Sequence, residues 1–103
     1  MMPPPTLMGL LNIFKRRKKE DEAGRRSVLL RAGRITEGSI FDIITDEAGT
    51  ITQVFYSYEI NGVEYESSQL LDPDQRRRSG DYFPGARVTV RFNPHQPGNS
   101  LVV

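Results

Sequence analysis

The chain has 103 residues, no cysteine, a formal net charge of +1, and 37% hydrophobic against 26% charged residues. That length holds one domain burying only about 60 to 65% of its unfolded surface, and the mixed composition excludes a fibrous or membrane-spanning chain. Without cysteine, disulfides, thiolate chemistry and Cys-ligated zinc or iron–sulfur centres are excluded too, which fits a reducing compartment.

The small net charge hides a division. Through residue 34 there are nine Lys or Arg against three acids, a net of +6, and the remainder carries five Arg against ten acids, a net of −5. All three lysines fall in the first part. The pattern predicts a basic, partly apolar tail at residues 1–26 and an acidic β-barrel domain at residues 27–103.

The opening MMPPPT is proline-rich and uncharged. The apolar run that follows, residues 7–14, is far shorter than the roughly 20 residues a spanning helix needs. It also fails as a secretory signal, because its positive charge comes after the apolar part, and Ile13 stands where a myristoylation motif wants Ser or Thr. What remains is an apolar patch of Leu7, Leu10, Leu11 and Phe14 at helical spacing, followed by Lys15, Arg16, Arg17, Lys18 and Lys19. Such a segment could lie on an anionic membrane surface, each cation contributing about 1 kcal/mol. The competing reading is an untethered tail.

From Glu20 to Ala32 the spacing predicts a short helix stopped by Gly33 in the left-handed region. The period then changes to two. GSIFDIIT, residues 38–45, reads as a strand whose alternation slips at Asp42, which a β-bulge there would reconcile, and DEAG, residues 46–49, reads as a turn.

The strongest local signal is Asn61-Gly62 between ITQVFYSYEI and VEYESSQL, the pair favoured in a type I′ turn. A two-residue turn sets Ile60 opposite Val63, Glu59 opposite Glu64, Tyr58 opposite Tyr65 and Tyr56 opposite Ser67. Val54, Tyr56, Tyr58, Ile60, Val63 and Tyr65 then share one side, and Phe55, Ser57, Glu59, Glu64 and Glu66 the other. Opposed glutamates require water, so the tyrosines face inward and serve packing, not a ligand.

After Leu71, DPDQRRRSGDYFPG reads as a long loop. Arg76, Arg77 and Arg78 could meet phosphate, but Asp72, Asp74 and Asp81 flank them and predict local pairing. A further strand points Val88, Val90 and Phe92 inward, a turn follows through Asn93, Pro94, Pro97 and Gly98, and SLVV closes the chain. Five strands, short connections and no second helix predict an all-β, five-stranded antiparallel barrel of the OB or SH3-like kind, preceded by a short helix.

Gly33 and Gly38 ahead of Ile40, the run Val54, Tyr56, Tyr58, Ile60, Gly62 and Tyr65, then Tyr82, Gly85, Val88, Val90, Phe92, Asn93, Pro94, Pro97 and Leu101, resemble the bacterial family called domain of unknown function 3592. The match covers about residues 30–103. The resemblance implies a small β domain of envelope or membrane proteins, often beside transmembrane helices, with no established catalytic activity and no catalytic residues to carry over. This sequence departs from that form in lacking a spanning helix, so only LLNIFKRRKK could stand in for an anchor.

Catalysis has little to work with. His95 is the only histidine, in the turn NPHQPG, and no Ser-His-Asp or phosphate-loop spacing occurs. No catalytic, metal or cofactor residue is expected. Single-stranded nucleic acid, a ligand of small barrels, is opposed by the barrel's charge of −5. The expectation is a non-catalytic module docking to a protein or envelope component through Phe55, unless Phe41 covers it, and the loop of Arg76, Arg77 and Arg78. It would be cytoplasmic and peripheral at the inner membrane face, held by Leu10, Leu11, Phe14 and the cations after them.

Overall fold

The computed structural model describes residues 22–103. A helix through residues 22–32 (α1) leads into strands β1 (Arg34–Thr45), β2 (Ile51–Ile60) and β3 (Val63–Leu70). A short helix, α2 (Pro73–Arg77), and a 3-10 turn (Ser79–Tyr82) precede β4 (Arg87–Asn93) and β5 (Gln96–Val102). The strands form one antiparallel sheet in the order β3-β2-β1-β4-β5, curled until β3 and β5 approach each other, so five strands make a nearly closed barrel. Among the described residues no helix is long and apolar enough to cross a membrane.

The central hairpin follows the sequence reading pair for pair. Asn61 (φ 52) and Gly62 (φ 82) take the positive φ that a type I′ turn requires, and the expected register from Ile60↔Val63 to Tyr56↔Ser67 is observed. Val54, Tyr56 and Tyr58 are buried, and Ile60 and Tyr65 pack against the core they form with Ile40, Val88, Val90 and Phe92. Val63, at the hairpin end, is instead exposed. The rings stack along the wall, Tyr56 to Tyr58 at 5.9 Å and Tyr58 to Tyr65 at 5.5 Å between centroids. Their hydroxyls reach the facing strand: Tyr56 Oη lies 2.8 Å from Ser100 Oγ, and Tyr58 Oη donates to the Pro97 carbonyl at 2.6 Å. Burial pushes the Tyr58 phenol above its ordinary pKa.

β1 is the shared central strand, paired with β2 along one edge and β4 along the other. Gly38 lies where they crowd: a Cβ there would meet the Ser57 carbonyl oxygen at 2.7 Å and Val90 Cγ2 at 2.8 Å. The bulge is present, with the register to β2 slipping between Ile40 and Asp42. It turns Ile40 and Ile43 both toward the core and leaves Phe41 outside.

Four further expectations are corrected. β1 begins at Arg34, four residues before the predicted strand. Gly33 is not left-handed; its amide donates to the Leu29 carbonyl at 2.9 Å, and a Cβ would stand 2.6 Å from that oxygen, so glycine is kept by close approach. The segment after Leu71 is not a structureless loop, and a second helix exists. Asp72 caps α2 through the Gln75 amide, the Gln75 side chain answers to the Asp72 amide, and Pro73 opens the helix, which together make a capping box. Finally, β5 starts at Gln96, paired with Asn93, so Pro97 and Gly98 belong to an edge strand and not to the turn.

The last join, between β3 and β5, is made by side chains. Gln69 Oε1 accepts from the Val102 amide at 2.8 Å, and Gln69 Nε2 donates to the Val102 carbonyl at 3.0 Å. Gln75 Nε2 donates to the same carbonyl at 2.8 Å. Both glutamines are buried. A primary amide carries one acceptor and two donors, so Gln69 stands in for a missing peptide group of the ladder.

α1 lies over this seam. Arg25 donates to Asn99 Oδ1 and the Ser100 carbonyl of β5, while Arg26 donates to the Leu70 carbonyl of β3. Glu22 accepts from both arginines, and the Arg25 hydrogen bond holds its carboxyl below the usual range. The helix therefore runs across the residue 26 division, and the folded unit includes it.

Candidate functional site

With the tyrosines inside the wall, the surface the sheet itself offers to a partner is its outer face. Alternation assigns that face residue by residue. On β2 it carries Gln53, Phe55, Ser57 and Glu59; their β3 partners are Leu70, Ser68, Glu66 and Glu64. On β1 the neighbours of the first three are Ile44, Asp42 and Ser39, with bulged Phe41 beside Phe55.

The face is divided along the strands. At one end Phe41 is 50% exposed, Ile44 47% and Leu70 60%; half-buried Phe55 lies between Asp42 and Ser68, and Ile44 and Leu70 flank Gln53 in the next row. The Phe41 and Phe55 rings meet at 6.4 Å, tilted by 50°. Phe41 thus covers part of Phe55, and the bulge brings it there. At the other end Glu59, Glu64 and Glu66 are exposed, with Glu59 directly opposite Glu64. Glu37 belongs to the same end but is paired with Arg87 at 3.1 Å. Glu59, Glu64 and Glu66 have no ion-pair partner among the described residues.

The three arginines sit elsewhere. Arg76 and Arg77 are on α2 and Arg78 ends it, so the fold does not place them on the strand that carries Phe55. Each has a local partner. Arg76 Nε donates to the Leu71 carbonyl at 3.1 Å, Arg77 is paired with Asp74, and the Arg78 guanidinium lies 5.8 Å from the Tyr82 ring centroid. The expected pairing with flanking acids holds for Arg77, whereas Asp72 is used as the cap of α2. The membrane-surface candidates Leu10, Leu11, Phe14, Lys15, Arg16, Arg17, Lys18 and Lys19 lie outside the described residues.

One open cleft, of about 600 Å³, lies between α1 and the β4–β5 turn and is lined by Arg25, Val28, Pro94, His95 and Asn99 among others. Arg25 is already committed to Glu22, Asn99 and Ser100. His95 is exposed in the turn, its amide donating to Asn93 Oδ1 at 2.8 Å. Among the described residues no three His, Asp or Glu groups converge as metal ligands would.

The sequence reading named Phe55 and gave Phe41 as the ring that could cover it, and the two rings do meet; it missed Ile44 and Leu70 on the same face. The signal was the slipped alternation itself: a bulge at residue 41 sends Phe41 and Ile44 to the side opposite Ile40 and Ile43.

No curated relative and no solved structure matches the chain. A family model described as Domain of unknown function (DUF3592) matches residues 32–103, most of the chain and the whole barrel from the end of α1 onward, and the chain belongs to that family.

Proposed function

We propose that this chain is a non-catalytic β-barrel interaction module that docks to a protein or cell-envelope component through the outer face of β1, β2 and β3, with residues 7–19 holding it at an anionic membrane surface. One observation carries the docking half. Phe41, which meets Phe55, and Ile44 and Leu70, on either side of Gln53 in the next row, are each about half exposed, and large apolar side chains left in water together on one sheet face mark a contact surface. The membrane half rests on sequence, where an apolar patch precedes five consecutive cations.

Two measurements test the reading. Full-length protein should sediment with anionic vesicles and lose that binding when Lys15, Arg16, Arg17, Lys18 and Lys19 are all changed to glutamine; equal partitioning of the two would remove the membrane half. Captures from envelope extract should differ between wild type and an Ile44→Asp/Leu70→Asp variant, and identical captures would remove the docking half.

A second reading, binding of single-stranded nucleic acid, is favoured by the strand order β3-β2-β1-β4-β5 with a helix between β3 and β4. That connectivity supports the OB over the SH3-like kind of barrel, and OB barrels take oligonucleotides on the face of strands 2 and 3. Here that face carries Glu59, Glu64 and Glu66, which repel phosphate. A gel shift with single-stranded DNA at low salt and tens of micromolar protein would revive the idea, and none is expected.

A further inference from the structure

Between Arg34 and Arg76 the chain carries nine Asp or Glu and no Lys or Arg, a stretch that makes β2, β3 and all of β1 except its first position. The outer face of these strands therefore has charge of one sign. Of its acids only Glu37 has an ion-pair partner among the described residues, Arg87 of β4 at 3.1 Å. Asp42 stands in the row of Phe55 and Ser68, Glu66 in the next row opposite Ser57, and Glu59 faces Glu64 one row further.

We propose that the occupant of this face is a cationic segment of another polypeptide, its Lys or Arg side chains on Glu59, Glu64 and Glu66 and its large apolar side chains on the Phe41–Phe55 end. This rests on reading the face as a docking surface and names the chemistry of what docks there.

Charge decides between occupants. Successive rows are about 7 Å apart along the strands, so a partner that covers Phe55 and its apolar neighbours also reaches Glu66. Covering a carboxylate without supplying a counter-charge is penalised by its lost hydration. The partner must bring cations. Nucleic-acid phosphate and anionic headgroups are repelled by the same groups. A second copy of this face brings no cation from β1, β2 or β3, and sets glutamate against glutamate or against the apolar end.

Shape agrees with charge. A cleft of about 250 Å³ opens at the acidic end, lined by Ser39, Ser57, Glu59, Glu64 and the Glu37–Arg87 pair among others. The Ser39 and Ser57 hydroxyl oxygens lie 3.5 Å apart, both partly buried. Such short side chains leave room for the end of a long cationic one, and their oxygens can accept what a guanidinium or ammonium donates. From the Phe55 row to the glutamate rows is about 7 to 13 Å, which in an extended segment separates cation from apolar anchor by about two to four residues.

Random peptides displayed on phage and selected on the full-length protein at low salt test this without presuming a sequence. Face binders are those lost on Ile44→Thr/Leu70→Thr, a variant that changes no charge. They should be net positive, with Lys or Arg about two to four positions from a large apolar residue. As synthetic peptides they should bind Glu59→Gln/Glu64→Gln/Glu66→Gln about tenfold or more weakly, bind wild type less tightly in salt, and shift the amide signals of Ser57, Glu64 and Leu70. All the replaced side chains are exposed, and the dispersion of each variant's amide spectrum confirms its fold. Face binders that are neutral or acidic, or that bind the glutamine variant equally, overturn this inference and leave the docking reading standing. Self-association of wild type that Ile44→Thr/Leu70→Thr abolishes would place a second copy on the face and overturn it too. So would the recovery of no face binder at all, and the captures from envelope extract then decide whether the docking reading survives.

Discussion

Strand β3 is joined to the barrel along both edges by different chemistry. Toward β2 it has a continuous backbone ladder closed by Asn61-Gly62. Toward β5 the seam is bridged by the side chains of Gln69 and Gln75, with Arg25 and Arg26 of α1 spanning it from outside. A ladder spreads its energy over many peptide groups, whereas the seam concentrates it on a few amides that have no substitute if lost. Truncating an apolar wall residue should thus be costly in proportion to its size, and changing a seam residue costly in proportion to the polar groups it strands.

Tyr56 gives the largest effect, because it belongs to both joins. Its ring is fully buried in the wall and its hydroxyl meets Ser100 of β5. Tyr56→Ala should cost about 3–5 kcal/mol in denaturant unfolding, and Tyr56→Phe, which removes only the hydroxyl bond, about 1 kcal/mol. Equal losses for the two would mean that the wall's stability comes from its polar tips, and the contrast between ladder and seam would fail.

Gln69→Leu probes the seam alone. It preserves approximate size but leaves the Val102 amide without its acceptor, and Gln75 then serves the Val102 carbonyl alone. A buried unpaired amide costs about 1–3 kcal/mol, and native-state hydrogen exchange at Val102 should accelerate while exchange within the β2–β3 ladder changes less. Uniform acceleration across both would show that the seam is not a separate unit. Gln69→Glu sharpens this: it supplies the acceptor but sets a carboxylate against the Val102 carbonyl and Gln75 Oε1. Burial should raise its folded pKa, so the variant recovers stability as pH falls and the protonated acid donates again.

The two edges also differ in how far the sequence discloses them. The ladder was legible because alternation and a two-residue turn fix register once one face is wet, and Tyr58↔Tyr65 and Glu59↔Glu64 followed from counting alone. The seam was not, because it depends on single polar residues at special positions. Two signals were nonetheless present. Carrying the register on to Val54↔Gln69 puts a glutamine on the inward side, where an unpaired amide would be costly. Asp72-Pro73 followed by Gln75 spells a capping box inside what read as a loop. On the outer face Phe55 was legible by parity and Phe41 as its cover, and Leu70 lay within reach of the hairpin register carried on to Gln53↔Leu70, but Ile44 required the bulge to be located as well as inferred.

The smallest effect is expected outside the barrel, where Glu22 aligns the two arginines that span the seam. Its carboxylate accepts from Arg25 Nη2 at 2.6 Å and Nε at 2.9 Å and from Arg26 Nε at 3.4 Å. Those hydrogen bonds, Arg25's foremost, hold its pKa below the ordinary carboxylate value. A depressed folded pKa means that the contribution is complete above the unfolded value and is lost as pH falls through the folded one. The pair is partly exposed, so its worth is below about 1 kcal/mol and should shrink with salt. Glu22→Gln should therefore melt slightly below wild type at pH 7 and low salt and match it once both are acidified below the carboxylate range. The same variant should leave hydrogen exchange within the β2–β3 ladder unchanged while raising it at Ser100 and Leu101, since Glu22 acts on the barrel only through Arg25 and Arg26. A difference that persists in acid would mean that Glu22 works by packing instead of charge, and the outside span would then resemble the wall more than the seam.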